Sequence, residues 1–264
     1  MNHPNIISLE DIIHTPEHLY IVLELAEGGE LKKMVGREEM NESLAKTYFR
    51  QIAEAIDYLH SRQICHRDLK LENILICSED QNNPIIKISD MGLSKFADQT
   101  MLKTFCGTHS YLAPEVLDAA RSLGTQKYTV QVDCWALGVI LYELLFGKKP
   151  FSEDRNTKLS LSEQIKTADY VFPPKAELIS SAGLDLVQKL LIVEPSRRLS
   201  SRDLLHHAWL KVNIASRKVN EEIRSLTSRK PTISSPTRLG RDWPRMLRTL
   251  TRCGRSENLK PNLP

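Results

Sequence analysis

Nothing in these 264 residues reaches the roughly 18 consecutive apolar residues that a membrane-spanning helix needs. The opening Met1-Asn2-His3-Pro4-Asn5 has no basic start leading into an apolar stretch. No membrane span and no secretory signal are therefore expected. Cysteine is sparse: Cys65, Cys77, Cys106, Cys134 and Cys253, with no CxxC pair. Zinc and dithiol redox chemistry lose support, and reduced thiols in an intracellular protein of the nucleus and/or cytoplasm are expected. With 11 glycines and 13 prolines the chain is neither collagenous nor low-complexity. The balance, 41% hydrophobic and 26% charged residues, suits a globular domain with a real core.

Net charge is also small, +3 from 36 basic against 33 acidic residues, but its distribution is uneven. From Arg217 onward there are 12 basic against 4 acidic residues, a net +8, which leaves a body of net −5. Beyond Val212 the hydrophobic period fades, and Ser, Thr, Arg and Pro take over. The expected organisation is a folded domain over 1–212 and a basic, unstructured tail over 213–264.

Apolar runs at Ile6–Ile13 and Leu19–Glu24, split by His14-Thr15-Pro16-Glu17, predict a strand pair. Leu44, Tyr48, Ile52, Ala55 and Leu59 mark one face of a helix over Asn41–Arg62, with Asn41 as its N-cap. Asn73–Cys77 and Ile85–Ser89 read as short strands. Val132–Phe146 is apolar almost all round, which predicts a buried central helix ended by Gly147. Leu184–Val193 and a capped segment from Ser200 through His207 read as further helices.

The chemistry concentrates in His66-Arg67-Asp68-Leu69-Lys70-Leu71-Glu72-Asn73, followed by Asp90-Met91-Gly92 and then Ala113-Pro114-Glu115. Any one of these residues alone would read as a polar surface position in a turn. In this order and spacing they resemble the catalytic core of eukaryotic protein kinases, the HRDLxxxN, DFG and APE signature set. The resemblance implies an α+β, protein-kinase-like fold: a mostly helical C-lobe with a remnant of the N-lobe sheet. It also implies ATP and Mg²⁺ as cofactors and transfer of the γ-phosphate to protein Ser/Thr.

By the same resemblance Asp68 is the base, Lys70 contacts the γ-phosphate, and Asn73 and Asp90 are metal ligands. Phe105–Leu112 matches the peptide-positioning loop, with Thr108 bonded to base and lysine. Leu23 has the gatekeeper's place. Glu24 and Ala26 offer backbone groups to adenine, Glu30 reaches the ribose, and Leu75 packs under the base. Leu23 and Leu75 read equally well as plain core. Glu30, Glu72 and Leu112 are the expected substrate contacts, the two acids recognising arginine upstream of the phosphoacceptor. Thr104, with Thr100 as alternative, is the expected activating phosphorylation site, its phosphate pairing with Arg67. Asp133, in a DxWxxG motif ending at Gly138, is expected to hold the backbone of the His66–Asp68 turn. Glu115 and Arg198 form an ion pair to a later helix.

Within the family the chain is most similar to FHA-domain checkpoint kinases of the calcium/calmodulin-kinase group. The similarity rests on Tyr20-Ile-Val-Leu-Glu-Leu25, Glu27-Gly-Gly-Glu-Leu31, Val132-Asp-Cys-Trp-Ala-Leu-Gly-Val-Ile140 and Pro150-Phe-Ser-Glu153. It implies a role in DNA-damage or cell-cycle checkpoint signalling. Met91, Leu71, His109 and Glu194 depart from the usual Phe, Pro, Pro and Asp, and none removes a catalytic group. The 264 residues contain no GxGxxG, and Asn2-His3-Pro4-Asn5-Ile6 already resembles the loop after the family's first large helix. The expectation is an N-terminally truncated kinase domain with little transferase activity by itself. The strand pair is expected to expose an apolar edge and face. A non-catalytic kinase-like binding module and a calmodulin-regulated kinase remain as alternatives. For the latter, residues 241–253 place Trp243, Met246, Leu247 and Leu250 on one stripe among arginines, suited to calmodulin or another acidic partner. Nuclear import and plain disorder are competing readings of that stripe. No direct nucleic-acid partner is expected.

Overall fold

The computed structural model describes residues 1–35, 40–78, 84–91, 109–119 and 129–211. The chain divides into two units, Met1–Lys211 and Val212–Pro264, and the second lies outside the described residues. The basic tail and its 241–253 stripe lie there too.

Strands β1 (Leu9–His14) and β2 (Leu19–Leu23) form an antiparallel hairpin in which Ile12 faces Ile21 and Ile13 faces Tyr20. The first strand begins at Leu9, not at the expected Ile6. Ile6 instead bridges to Ile88 in parallel, and the Ile7 amide donates to the Ile88 carbonyl at 2.9 Å. Ile6 thus leaves the hairpin to reach the core, where it is buried. On the hairpin the expected apolar exposure is present: Leu19, Ile21 and Leu23 are 60%, 54% and 43% exposed, as alternate residues of one strand face must be together.

A second sheet runs β3 (Gly29–Glu30), β4 (Ile74–Ser78), β5 (Ile85–Ile88), all antiparallel. Helix α1 (Leu31–Val35) follows β3 directly. Helix α2 (Glu42–His60) starts where Asn41 accepts the Leu44 amide at 2.9 Å. Its apolar face, including Ala45, Phe49, Ile52, Ile56 and Leu59, is buried and packs on β5 and on two later helices. One is α4 (Gln131–Phe146), buried from Val132 to Phe146 and ended by Gly147 at φ +70°. The other is α7 (Ser201–Leu205), capped by Ser200. The remaining helices are α3 (Pro114–Ala119), before α4, then α5 (Leu161–Thr167) and α6 (Ser181–Leu190).

Helix α6 runs three residues ahead of the expected Leu184–Val193. Ser180 caps it through the Gly183 amide, and Leu191–Val193 turn away so that Ile192 and Val193 offer carbonyls to Arg198. Helix α6 also packs tightly on α4. A Cβ on Gly138 would lie 2.8–3.0 Å from Leu190 and Leu191, so only glycine permits this approach.

The N-termini of α2 and α6 are tied by one carboxylate. Glu42 accepts the Ser180 amide at 3.0 Å, the Ser180 hydroxyl, and the Trp209 indole N–H at 2.6 Å. Burial alone would raise its pKa, but these donors outweigh it and hold the group below its ordinary value of 4.5. A depressed carboxylate stabilises the fold above its unfolded pKa and loses that contribution as pH falls through the folded value. In urea titrations from pH 6 down to pH 3, the wild-type midpoint should therefore fall below about pH 4.5, and the Glu42→Gln profile should be flatter. The difference at neutral pH should be about 1 kcal/mol after solvent screening. Parallel profiles would refute this.

Candidate active site

The turn after α2 leads into the residues with the chemistry. Asp133, buried inside α4, accepts the His66 amide at Oδ2 (2.8 Å) and the Arg67 amide at Oδ1 (2.9 Å). Arg67 sits at φ +68°, a left-handed conformation that costs a non-glycine residue about 1–3 kcal/mol. Asp133 accepts a further hydrogen bond, 2.9 Å, from His60 Nε2, whose Nδ1 meets Ser201 Oγ at 3.1 Å. Burial would raise the Asp133 pKa, but the bond and charge of His60, with His66, hold it below its ordinary value. His66 Nε2 donates in turn to the Ser89 carbonyl at 3.1 Å, which joins this turn to the strand end before Asp90.

The held turn presents Asp68. Its Oδ2 lies 2.7 Å from Lys70 Nζ and 3.0 Å from Asn73 Nδ2, and Nδ2 also reaches the Asp68 carbonyl at 2.8 Å. Lys70 and Asp68 are only partly buried, with side-chain exposures of 20% and 26%. Asn73 is buried and closes the 3₁₀ turn Leu71–Asn73. Its carbonyl receives both the amide and the hydroxyl of Ser89, at 2.9 and 3.0 Å. Asp90 follows directly, exposed and at φ +64°. The structure thus brings Asp68, Lys70 and Asn73 into contact and ties the segment carrying Asp90 to Asn73.

No cluster of three His, Cys, Asp or Glu side chains among the described residues is suited to a metal. Magnesium, however, characteristically takes one or two protein oxygens and fills its shell with water and phosphate. The Asn73 amide spends its N–H groups on Asp68, which leaves Oδ1 as a hard oxygen donor, and the exposed Asp90 carboxylate is a second. These donors fit Mg²⁺.

Among the residues expected to meet the nucleotide, Leu75 of β4 stands in register with Glu30 of β3. Glu24 has its amide bound to the Ser8 carbonyl (3.0 Å) and its carboxylate paired with Lys87 (2.8 Å). Only its carbonyl is therefore left to face a base. Ala26 has no backbone partner among the described residues. Leu23 is on the exposed hairpin. On the substrate side, Leu112, Tyr111 and Asp68 share a small cavity of about 40 Å³. One carboxylate oxygen of Glu72 is buried without a partner among the described residues, and Glu30 pairs with Lys33 at 3.1 Å. Thr100, Thr104 and Thr108 lie outside the described residues.

Arg198 pairs with Glu115 at 2.9 and 3.2 Å as expected, but from the loop after the 3₁₀ turn Pro195–Arg197 and not from a helix. Sequence reasoning missed His60 and a buried triad in which Lys32 and Tyr111 both donate to Glu143. Glu143 was the available signal: a charge inside an apolar helix must have partners.

A mostly helical body with a turn that holds Asp68, Lys70 and Asn73 together is an arrangement suited to phosphoryl transfer. Residues 1–210 match the protein kinase domain model, and the chain belongs to the protein kinase family. Within that family its relatives are serine/threonine kinases, several of calcium/calmodulin-kinase type. It is 45% identical to Myosin light chain kinase A of Dictyostelium discoideum, over 81% of this chain and 70% of that one. Identity is 38% both to Ovarian-specific serine/threonine-protein kinase Lok of Drosophila melanogaster (80% and 44% covered) and to Calcium/calmodulin-dependent protein kinase type 1 of Macrobrachium nipponense (86% and 63%). The crystal structure of Rad53 in complex with AMP-PNP superposes with a TM-score of 0.67 at 36% identity, covering 80% of this chain and 52% of that one. Several of these relatives are thus much longer than the chain. No described helix is long and apolar enough to cross a membrane.

Proposed function

We propose that this cleft transfers the γ-phosphate of ATP to serine or threonine hydroxyls of proteins, and that Asp68 is its base. The observation that carries the reading is the shared oxygen: Asp68 Oδ2 is held by both Lys70 and Asn73. Those contacts fix the carboxylate while leaving it a second oxygen to orient the attacking hydroxyl and take its proton. Lys70, beside it, places positive charge against the negative charge carried by the oxygens of the moving phosphoryl group. Mg²⁺, bound through Asn73 and Asp90, would neutralise phosphate charge. Glu24 and Ala26 backbone groups, with Leu23 and Leu75, would hold adenine, and Glu30 the ribose. Leu112 would line the pocket for the residue next to the phosphoacceptor.

The substrate class is arginine-containing peptides. Support comes from Glu72, whose buried unpaired oxygen needs a cationic donor. Glu30 contributes less, because Lys33 already neutralises it. Thr108 would steady base and lysine, and phosphate on Thr104 or Thr100 would pair with Arg67. Motif similarity to the checkpoint kinases supports a role in checkpoint signalling. An acidic partner such as calmodulin for 241–253 rests on the sequence stripe alone.

The test has two arms. Isothermal titration of the 264-residue chain with Mg·ATP, with and without Asp90→Asn, reads the nucleotide site. Transfer from γ-labelled ATP is read in a chimera in which the part of Myosin light chain kinase A that lies N-terminal to its match with this chain precedes Met1. Labelled phosphoserine and phosphothreonine are expected. A chimera that binds nucleotide but labels no peptide would overturn the catalytic reading in favour of a binding module.

A further inference from the structure

Glu143 is a carboxylate in the last turn of α4, with its side chain 1% exposed. A buried charge of this kind persists only when paired and hydrogen-bonded. Lys32 of α1 donates to one of its oxygens and Tyr111 to the other. Tyr111 lines the cavity beside Asp68. Its hydroxyl pKa is pushed up by burial, then by Glu143, and also by Glu72, so two carboxylates approach one phenol on the cleft wall. Helix α1 packs on the turn Leu71–Asn73 that carries Glu72. Three acids therefore surround α1, and α1 supplies the counter-ion of two: Lys33 for Glu30 and Lys32 for Glu143. Glu72 alone of the three keeps a buried oxygen without a partner. Further positive charge covers the same wall, since Lys149 Nζ stands 4.6 Å above the Tyr111 ring.

We propose that Lys32 is a specificity-determining residue: it occupies Glu143 from within the chain, so that the cleft reads one substrate cation, through Glu72, where two carboxylates would otherwise read two. The inference rests on the arginine-directed reading and narrows it. An ammonium tethered to the same fold is present at a high effective concentration that a diffusing guanidinium must overcome. Lys149, over the Tyr111 ring, adds like charge that a second substrate cation would also have to approach.

The experiment reads peptide affinity, by fluorescence anisotropy, on the 264-residue chain. The probes are labelled serine peptides with one upstream arginine, and the same peptides with a second arginine at each other upstream position in turn. In the wild type the second arginine should change affinity by less than about twofold, and Glu72→Gln should weaken the one-arginine peptide about tenfold. Lys32→Met should gain about tenfold for a second arginine at one position, and adding Glu143→Gln should abolish that gain. Because Lys32→Met bares a buried charge and can fail to fold, the nearly isosteric Glu143→Gln supplies an independent reading. On the wild-type background it should create no preference for a second arginine at any position. A wild type that gains from a second arginine and loses that gain on Glu143→Gln would overturn the inference and leave the Glu72 reading standing. A folded Lys32→Met that gains at no position overturns it as well. Indifference of every variant to arginine overturns the arginine-directed reading with it, while transfer by the chimera is scored separately.

Discussion

Asp68→Asn in the N-terminally extended chimera should lower the transfer rate by roughly 10²–10⁴-fold, the usual worth of a positioned general base. The substitution keeps size and one carbonyl oxygen, so Lys70 and Asn73 still have an acceptor where Oδ2 now sits. What disappears is the group able to receive the hydroxyl proton. Nucleotide affinity and the circular dichroism spectrum should stay unchanged, because Asp68 is partly exposed and holds no other element in place. Initial rates with saturating Mg·ATP, set beside titration calorimetry, separate the two effects. A variant that keeps more than a tenth of the wild-type rate would remove Asp68 from the base role.

A larger structural effect should follow at Asp133. Asp133→Ala strips acceptors from the His66 and Arg67 amides and from His60 in one step. Breaking a buried charged hydrogen-bond network by removing one partner costs about 3–5 kcal/mol. Arg67 adds to this, since its left-handed backbone is held in place by the same carboxylate. The urea midpoint should fall accordingly, and amide protection at His66 and Arg67 should be lost first. Asp133→Asn, which keeps one acceptor oxygen, should fall between. The depressed pKa of Asp133 means that its contribution is complete at neutral pH and fades only in acid. A midpoint shift under about 1 kcal/mol for the alanine variant would contradict this account.

The residues brought together at Asp68 were legible in advance because they are close in sequence. Lys70 and Asn73 lie two and five positions away, so one turn forces the contact. The long helix and its Asn41 cap were legible for the same reason, since period and cap are local. Partners across the fold were not. Glu143 advertised a need for donors, but nothing in the chain marks Lys32, 111 positions earlier, as one of them. His60 gave no sign that it would join Asp133 to Ser201, 141 positions away. Ile6 opened the apolar run that reads as the first strand, and only its burial and its bridge to Ile88 of β5 explain why it leaves the hairpin. The early end of α6 followed from Arg198 gathering two carbonyls, an arrangement no local period encodes.

The attachment of the hairpin has a thermodynamic consequence. Among the described residues two backbone hydrogen bonds join it to the body, Ile7 N–H to the Ile88 carbonyl and Ile88 N–H to the Asn5 carbonyl, while Glu24 N–H to the Ser8 carbonyl only closes its own base. The Lys87–Glu24 pair and the Asn5–Gln51 bond add to them. Helix α4, by contrast, is enclosed for its whole length. The Met1–Lys211 unit is thus two foldons of unequal depth. The shallower one carries Leu23, Glu24 and, just past its end, Ala26. If Leu23, Glu24 and Ala26 hold adenine as proposed, fraying of that foldon would dismantle those contacts while the Asp68 turn stays folded, so ligand grip and catalytic geometry would be governed by different opening free energies.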